Sequence, residues 1–134
     1  MKTYNNLYEK LCALENLRLA FEKARKGKTN KWYVKEFEAN LENELIKLKL
    51  ELETQTYKPK QLKRFVIHDP KTRVIYASAF RDRVVHHALF KILYRVFSPT
   101  FITTSFSCRI GKGTHKGVNE LENMVRRVSR NYTK

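Results

Sequence analysis

Between Phe80 and Phe97 the sequence carries an apolar arc too wide for an ordinary surface helix. Val84, Val85, Ala88, Leu89, Ile92, Leu93, Val96 and Phe97 recur at helical spacing and cover well over one stripe of the cylinder. A helix patterned this way belongs at the centre of a fold, buried on most sides. Its entrance is charged. Asp82 falls in the first turn, where the helix dipole favours a carboxylate. Arg81 and Arg83 flank it and point to different neighbours, and lysine at either position would lack the planar fork that matches phosphate or carboxylate. His86 and His87 are adjacent, diverge by about 100° on a helix, and are read as packed or hydrogen-bonded side chains rather than metal ligands. Pro99 closes the helix.

The segment that feeds this helix reads as a β-hairpin over 62–77. Leu62-Lys63-Arg64-Phe65-Val66-Ile67-His68 and Arg73-Val74-Ile75-Tyr76-Ala77 are rich in β-branched and aromatic residues, and Asp69-Pro70-Lys71-Thr72 between them is a turn. Pro70 suits the second position of a type I turn. Lys71 at the tip and Arg73 two residues on can project to one side. Two readings stand together here: a mobile basic probe for phosphates, or cations guarding an edge strand against aggregation.

After the helix, a loop over 105–114 contains Cys108-Arg109-Ile110-Gly111-Lys112-Gly113-Thr114 and precedes a last helix over 115–130. A glycine-containing basic loop at a helix N-terminus lets backbone N–H groups approach an anion. The Walker spacing is absent, and Thr114 as an N-cap would account for the pattern without a ligand. Val118, Leu121, Met124, Val125 and Val128 are expected inside, with Arg126, Arg127 and Arg130 at the end.

The first part of the chain, 1–56, is helical. Leu7, Leu11, Leu14, Leu17 and Phe21 indicate one or two short helices between Tyr4 and Lys26, bent near 14–16. Arg25 to Lys31 is a basic turn with Gly27 as the helix stop, an exposed loop first and a phosphate contact second. Val34, Phe37, Leu41, Leu45, Leu48 and Leu52, widened by Ile46 and Leu50, predict one long amphipathic helix over 34–54 that packs on the remaining core, 57–134. Thr54 to Pro59 ends it. The fold class is α+β, mostly helical with a small antiparallel hairpin, in one compact domain overall.

Charge is unevenly distributed. The chain carries 28 Lys and Arg against 13 Asp and Glu, a net +15. Residues 1–54 hold 11 basic and 9 acidic side chains, whereas 55–134 hold 17 and 4. A merely solvated surface does not predict such confinement; a polyanionic partner does, with nucleic acid ahead of an anionic membrane surface. Cys12 and Cys108 lack metal or disulfide spacing and read as reduced thiols of a cytoplasmic protein. No secretory signal or transmembrane run is evident.

Three blocks in order, Pro70-Lys-Thr-Arg-Val-Ile75, Phe80-Arg-Asp-Arg-Val-Val-His-His-Ala-Leu89, and Phe97 to Gly117 with its Ser-Cys-Arg-Ile-Gly-Lys-Gly core, resemble the amino-terminal fingers of reverse transcriptases. The bacterial retroelement branch, comprising group II intron, retron and diversity-generating enzymes, is the nearest in pattern. The resemblance is clearest over 57–117. It implies a fingers domain of a right-hand polymerase, in which Lys71 and Arg73 touch the triphosphate of an incoming dNTP. It also implies that Arg81, Arg83, Arg109 and Lys112, together with Lys63 and Arg64, contact template RNA or the RNA/DNA duplex. In that family two Mg²⁺ ions sit on palm carboxylates, an Asp after the first palm strand and a Tyr-x-Asp-Asp turn. Beyond Ala77 this sequence has only Asp82, Glu120 and Glu122, in neither setting. The expectation is therefore a truncated polymerase, lacking palm and thumb, with no catalytic residue or metal of its own and no polymerase activity alone. A stand-alone basic RNA-binding module without enzymatic activity is the alternative. A helix-turn-helix repressor ranks third, since no short pair with a basic second helix stands out. No membrane partner is expected.

Overall fold

The computed structural model describes residues 3–133. Its order of elements is α1 (Leu7–Cys12), α2 (Leu14–Arg25), α3 (Trp32–Ala39), α4 (Leu41–Glu53), β1 (Lys63–Ile67), β2 (Arg73–Ala77), α5 (Phe80–Phe97), a 3₁₀ turn (Ser98–Thr100) and α6 (Thr114–Val128). The fold class is α+β, with helices and one two-stranded antiparallel sheet. The described residues divide into two compact units, one within Met1–Val96 and the other within Phe97–Lys134, so the division falls at the end of α5 and not near residue 56. No helix among the described residues is long and apolar enough to cross a membrane.

The core of the first unit is built from α1 to α4 and the start of α5. Leu17, Phe21, Val34, Leu45, Leu48 and Val84 are fully enclosed. The chain breaks between α1 and α2 at Ala13, whose extended ψ of 130° ends one helix and starts the next just before the bend expected at 14–16. Gly27, with φ of 72°, stops α2, and Lys28 N–H returns to Arg25 O at 2.8 Å.

The single helix expected over 34–54 is two helices. Asn40 (φ −126°, ψ 34°) leaves the helical region, its N–H bonding back to Phe37 O at 3.3 Å while its own carbonyl accepts Glu44 N–H to open α4. Its side chain accepts from Asn43 Nδ2 at 2.7 Å. Asparagine competes with the helix through such local bonds, so a stripe legible as continuous is interrupted here. Val34, Phe37, Leu45, Leu48 and Leu52 still meet in one core, but Ile46 and Leu50 do not widen the buried face and are exposed.

The apolar arc of α5 overstates its burial. Phe80, Val84, Val85 and Ala88 are buried, whereas Leu89, Phe90, Leu93 and Phe97 are exposed. The reason is length. Eighteen residues span about 27 Å, while the helices of the first-unit core run 6 to 13 residues. The core ends near Ala88, whose carbonyl accepts a bond from the buried Asn16 amide at 3.5 Å.

His86 is exposed and not packed, contrary to its sequence reading. His87 is half-buried, and no side-chain hydrogen bond reaches either ring among the described residues. Burial, reinforced by Lys28, His86 and Lys23, holds the His87 imidazole below its ordinary pKa. The unfolded chain therefore binds that proton more readily, and stability falls as pH drops through the range just above and below the ordinary histidine value. Urea unfolding at pH 7 and pH 5 should show the loss, and His87→Gln should reduce it.

In the second unit α6 has no buried residue among those described. Val118, Leu121, Met124, Val125 and Val128, expected inside, are all exposed, because a unit with a single α-helix has no opposing apolar layer of its own. The helix begins one residue early. Gly113 occupies the cap position, so Thr114 is the first helical residue and no side chain caps the end. The helix comes close to the preceding loop at Gly117, where a Cβ would lie 3.2 Å from the Phe106 ring.

Candidate nucleic-acid interface

The hairpin pairs Lys63 with Ala77 and Ile67 with Arg73. Alternation along the strands puts Lys63, Phe65, Ile67, Arg73, Ile75 and Ala77 on one face and Arg64, Val66, Val74 and Tyr76 on the other. Lys63 and Arg64 thus serve opposite faces. Residues 69–71 bend without the hydrogen-bonded type I turn expected at Asp69-Pro70-Lys71-Thr72. His68 Nδ1 and Thr72 Oγ1, 3.3 Å apart, close the neck of the loop. Lys71 and Arg73 are exposed, and among the described residues no carboxylate pairs with Lys63, Arg64, Lys71 or Arg73. Phe65, Val66, Ile67, Val74 and Tyr76 are also exposed, so both faces of the sheet are accessible.

The Arg81-Asp82-Arg83 triplet works at the root of this hairpin. Asp82, only 1% exposed, accepts from the Tyr57 hydroxyl at 2.7 Å and from Lys60 N–H at 2.9 Å. Burial and this bond push the Tyr57 hydroxyl well above its ordinary pKa, so it remains a donor. Arg81 pairs with Glu51 and covers the Tyr57 ring at 5.2 Å. Arg83 donates to Ser78 O at 3.1 Å and covers Tyr33 at 5.3 Å. The two arginines do point to different neighbours, and both brace the segment entering and leaving the hairpin against α3, α4 and α5.

In the second unit Arg109 donates to the carbonyls of Ser98 and Ser105 at 3.2 Å and of Ile102 at 3.3 Å, with its guanidinium 5.0 Å from the Phe101 ring centre. Its buried Nε has no partner. Lys112 donates to Thr103 O and lies over Phe106, while Lys112 O accepts Ser107 N–H at 2.8 Å. The loop is wound around these two cations. Of the eight basic candidates, Lys63, Arg64, Lys71 and Arg73 have no carboxylate partner among the described residues, and Arg81, Arg83, Arg109 and Lys112 are engaged by the chain's own groups.

Sequence reasoning missed a cleft of about 450 Å³ beside the hairpin root. Trp32, Tyr33, Phe37 and Phe80 supply aromatic lining, with Lys60, Lys63, Arg81 and Arg83 contributing positive charge and Glu36 and Glu44 negative. Trp32 lies off the apolar stripe at a helix start, which was the available signal.

The described residues do not suit the paired Mg²⁺ ions of a polymerase. No group of three or more His, Cys, Asp or Glu among them could hold a metal ion. Of the carboxylates near the candidate cations, Asp82 is engaged by Tyr57 and Lys60, and Glu51 by Arg81. Cys12 is buried and Cys108 exposed, and both are free thiols. No family model matches the chain, and no curated protein matches it.

Proposed function

We propose that this chain is the fingers portion of an RNA-directed DNA polymerase, holding template RNA and the phosphates of an incoming dNTP, with catalysis belonging to a palm outside this sequence. The hairpin carries the proposal: it is exposed on both faces, has four cations with no carboxylate partner among the described residues, and is rooted through the buried Asp82. Phosphoryl transfer needs charge neutralisation and positioning more than covalent help, and Lys71 and Arg73 have the charge and access for that.

A stand-alone RNA-binding module is the second reading. It is favoured by the internal partners of Arg81, Arg83, Arg109 and Lys112, which leave the hairpin as the main free basic surface among the eight candidates. Both readings require RNA binding that weakens steeply with salt. Fluorescence anisotropy with single-stranded RNA across a salt series should give a linear dependence of log affinity on log salt. Lys71→Ala with Arg73→Ala should lower the slope by about 1–2 if both contact phosphate. A flat salt response would refute both readings. In a polymerase completed with a palm, the same double variant should lower dNTP incorporation far more than RNA affinity. Equal effects would favour the module.

A further inference from the structure

Trp32 is the chain's only tryptophan, and it is 72% exposed on the rim of the first-unit cleft. A large aromatic left this open has no packing reason for its position. It adjoins the aromatic cluster of the core through its neighbour. Tyr33 meets it edge to face with ring centres 5.9 Å apart, and Tyr33 in turn packs against the core ring of Phe80 at 5.9 Å and under Arg83. The indole is thus a flat surface presented to solvent on a braced helix.

The charges around it are of two kinds. Lys60 and Lys63 line the cleft with no carboxylate paired to either ammonium among the described residues. Glu36 and Glu44 also line it, and neither carboxylate has an ion pair or side-chain hydrogen bond among the described residues. Glu36 is four residues from Trp32 on α3, which puts it on the same helix face one turn along. A uniformly anionic surface such as a lipid headgroup layer would gain from the lysines and be repelled by the glutamates. A nucleotide satisfies all three elements: a π-face for the indole, a phosphate for the lysines, and a base edge bearing N–H donors for a carboxylate.

We infer that this cleft is a site for one unpaired base of single-stranded RNA, stacked on Trp32, with its phosphate toward Lys60 and Lys63 and its edge toward Glu36. Guanine suits a carboxylate best, because its N1–H and N2–H₂ donors are adjacent and match two oxygens. Uracil offers a single N–H between two carbonyls and suits it least. The inference rests on the RNA-binding reading above and adds the subsite and its base preference.

Because Trp32 is the sole tryptophan, its fluorescence reports on the site directly. The intact chain is titrated with hexauridylate, with the same hexamer carrying one central guanosine, and with anionic lipid vesicles. Quenching by RNA is expected, with the guanosine hexamer binding more tightly. By anisotropy, Trp32→Ala should weaken the guanosine hexamer about 10-fold or more, given what base stacking contributes. The salt slope should stay unchanged, and Trp32→Phe should restore most of the affinity. Glu36→Gln should reduce the guanosine preference and leave hexauridylate binding as it was.

RNA binding without quenching, or with Trp32→Ala equal to the parent chain, overturns the subsite while the RNA-binding function stands. Equal affinity for the two hexamers overturns the base-edge assignment. A blue shift with vesicles and no RNA binding by anisotropy overturns the inference and the RNA-binding function together.

Discussion

Replacing Phe80 by alanine is expected to destabilise the first unit by about 3–5 kcal/mol, read as a lower urea midpoint by far-ultraviolet circular dichroism. Phe80 is 6% exposed at the first position of α5. Its ring packs edge to face on Phe37 at 5.3 Å and on Phe21 at 6.1 Å, and lies tilted 5.9 Å from Tyr33. Removing it opens a cavity where α2, α3 and α5 meet, and these well-packed rings cannot easily collapse into it. Phe90→Ala on the same helix is the control. Phe90 is exposed, and its loss should change stability by no more than about 0.5 kcal/mol. Similar losses at the two positions would mean that the aromatic cluster is not the organising contact.

Asp82→Ala is expected to cost about 2–4 kcal/mol, because two donors lose their acceptor at once and the first turn of α5 loses its carboxylate. The donors are the Tyr57 hydroxyl and Lys60 N–H, and both lie in the segment leading to the hairpin. Asp82→Asn keeps one carbonyl oxygen and should cost less, about 1–2 kcal/mol. Since Asp82 is buried it touches no ligand, so the folded Asn variant should retain its RNA affinity. A loss of affinity at unchanged stability would instead make Asp82 part of the binding surface. Urea unfolding and RNA anisotropy on the same preparation separate the two outcomes.

Much of the fold was legible along the chain. The hairpin strands, the limits of α5 at Phe80 and Phe97, and the stop at Gly27 each rest on local signals: strand alternation, a proline two residues past the helix, and a glycine in the left-handed region. The break at Asn40 was less visible, since the apolar spacing runs through it and only the asparagine's own bonds reveal it. For α5 and α6, periodicity showed which residues could share a face, but burial also requires a neighbour to cover that face. Leu93 on α5 and Leu121 on α6 have the pattern of core residues and are exposed.

The candidate site divides in the same way. Lys71 and Arg73 read from the turn either as a phosphate probe or as edge guards, and the resemblance alone chose between them; both are exposed, with no carboxylate paired to either among the described residues. Arg81 and Arg109 looked equally available in the sequence. Nothing in their neighbours along the chain indicates that Glu51, thirty residues away, takes one, or that three backbone carbonyls take the other. Trp32 matches no apolar stripe, and only the fold places it on the rim of a cleft.

By itself the sequence determined the hairpin, the extent of α5, the α+β class and the concentration of positive charge after residue 54, all of which depend on local pattern and composition. Only the tertiary structure decided which cations remain free, which half of α5 is core, and that Trp32 stands over a charged cleft. Those depend on partners distant in sequence, since a charge is neutralised, or a ring enclosed, by whatever the fold brings within a few ångströms of it.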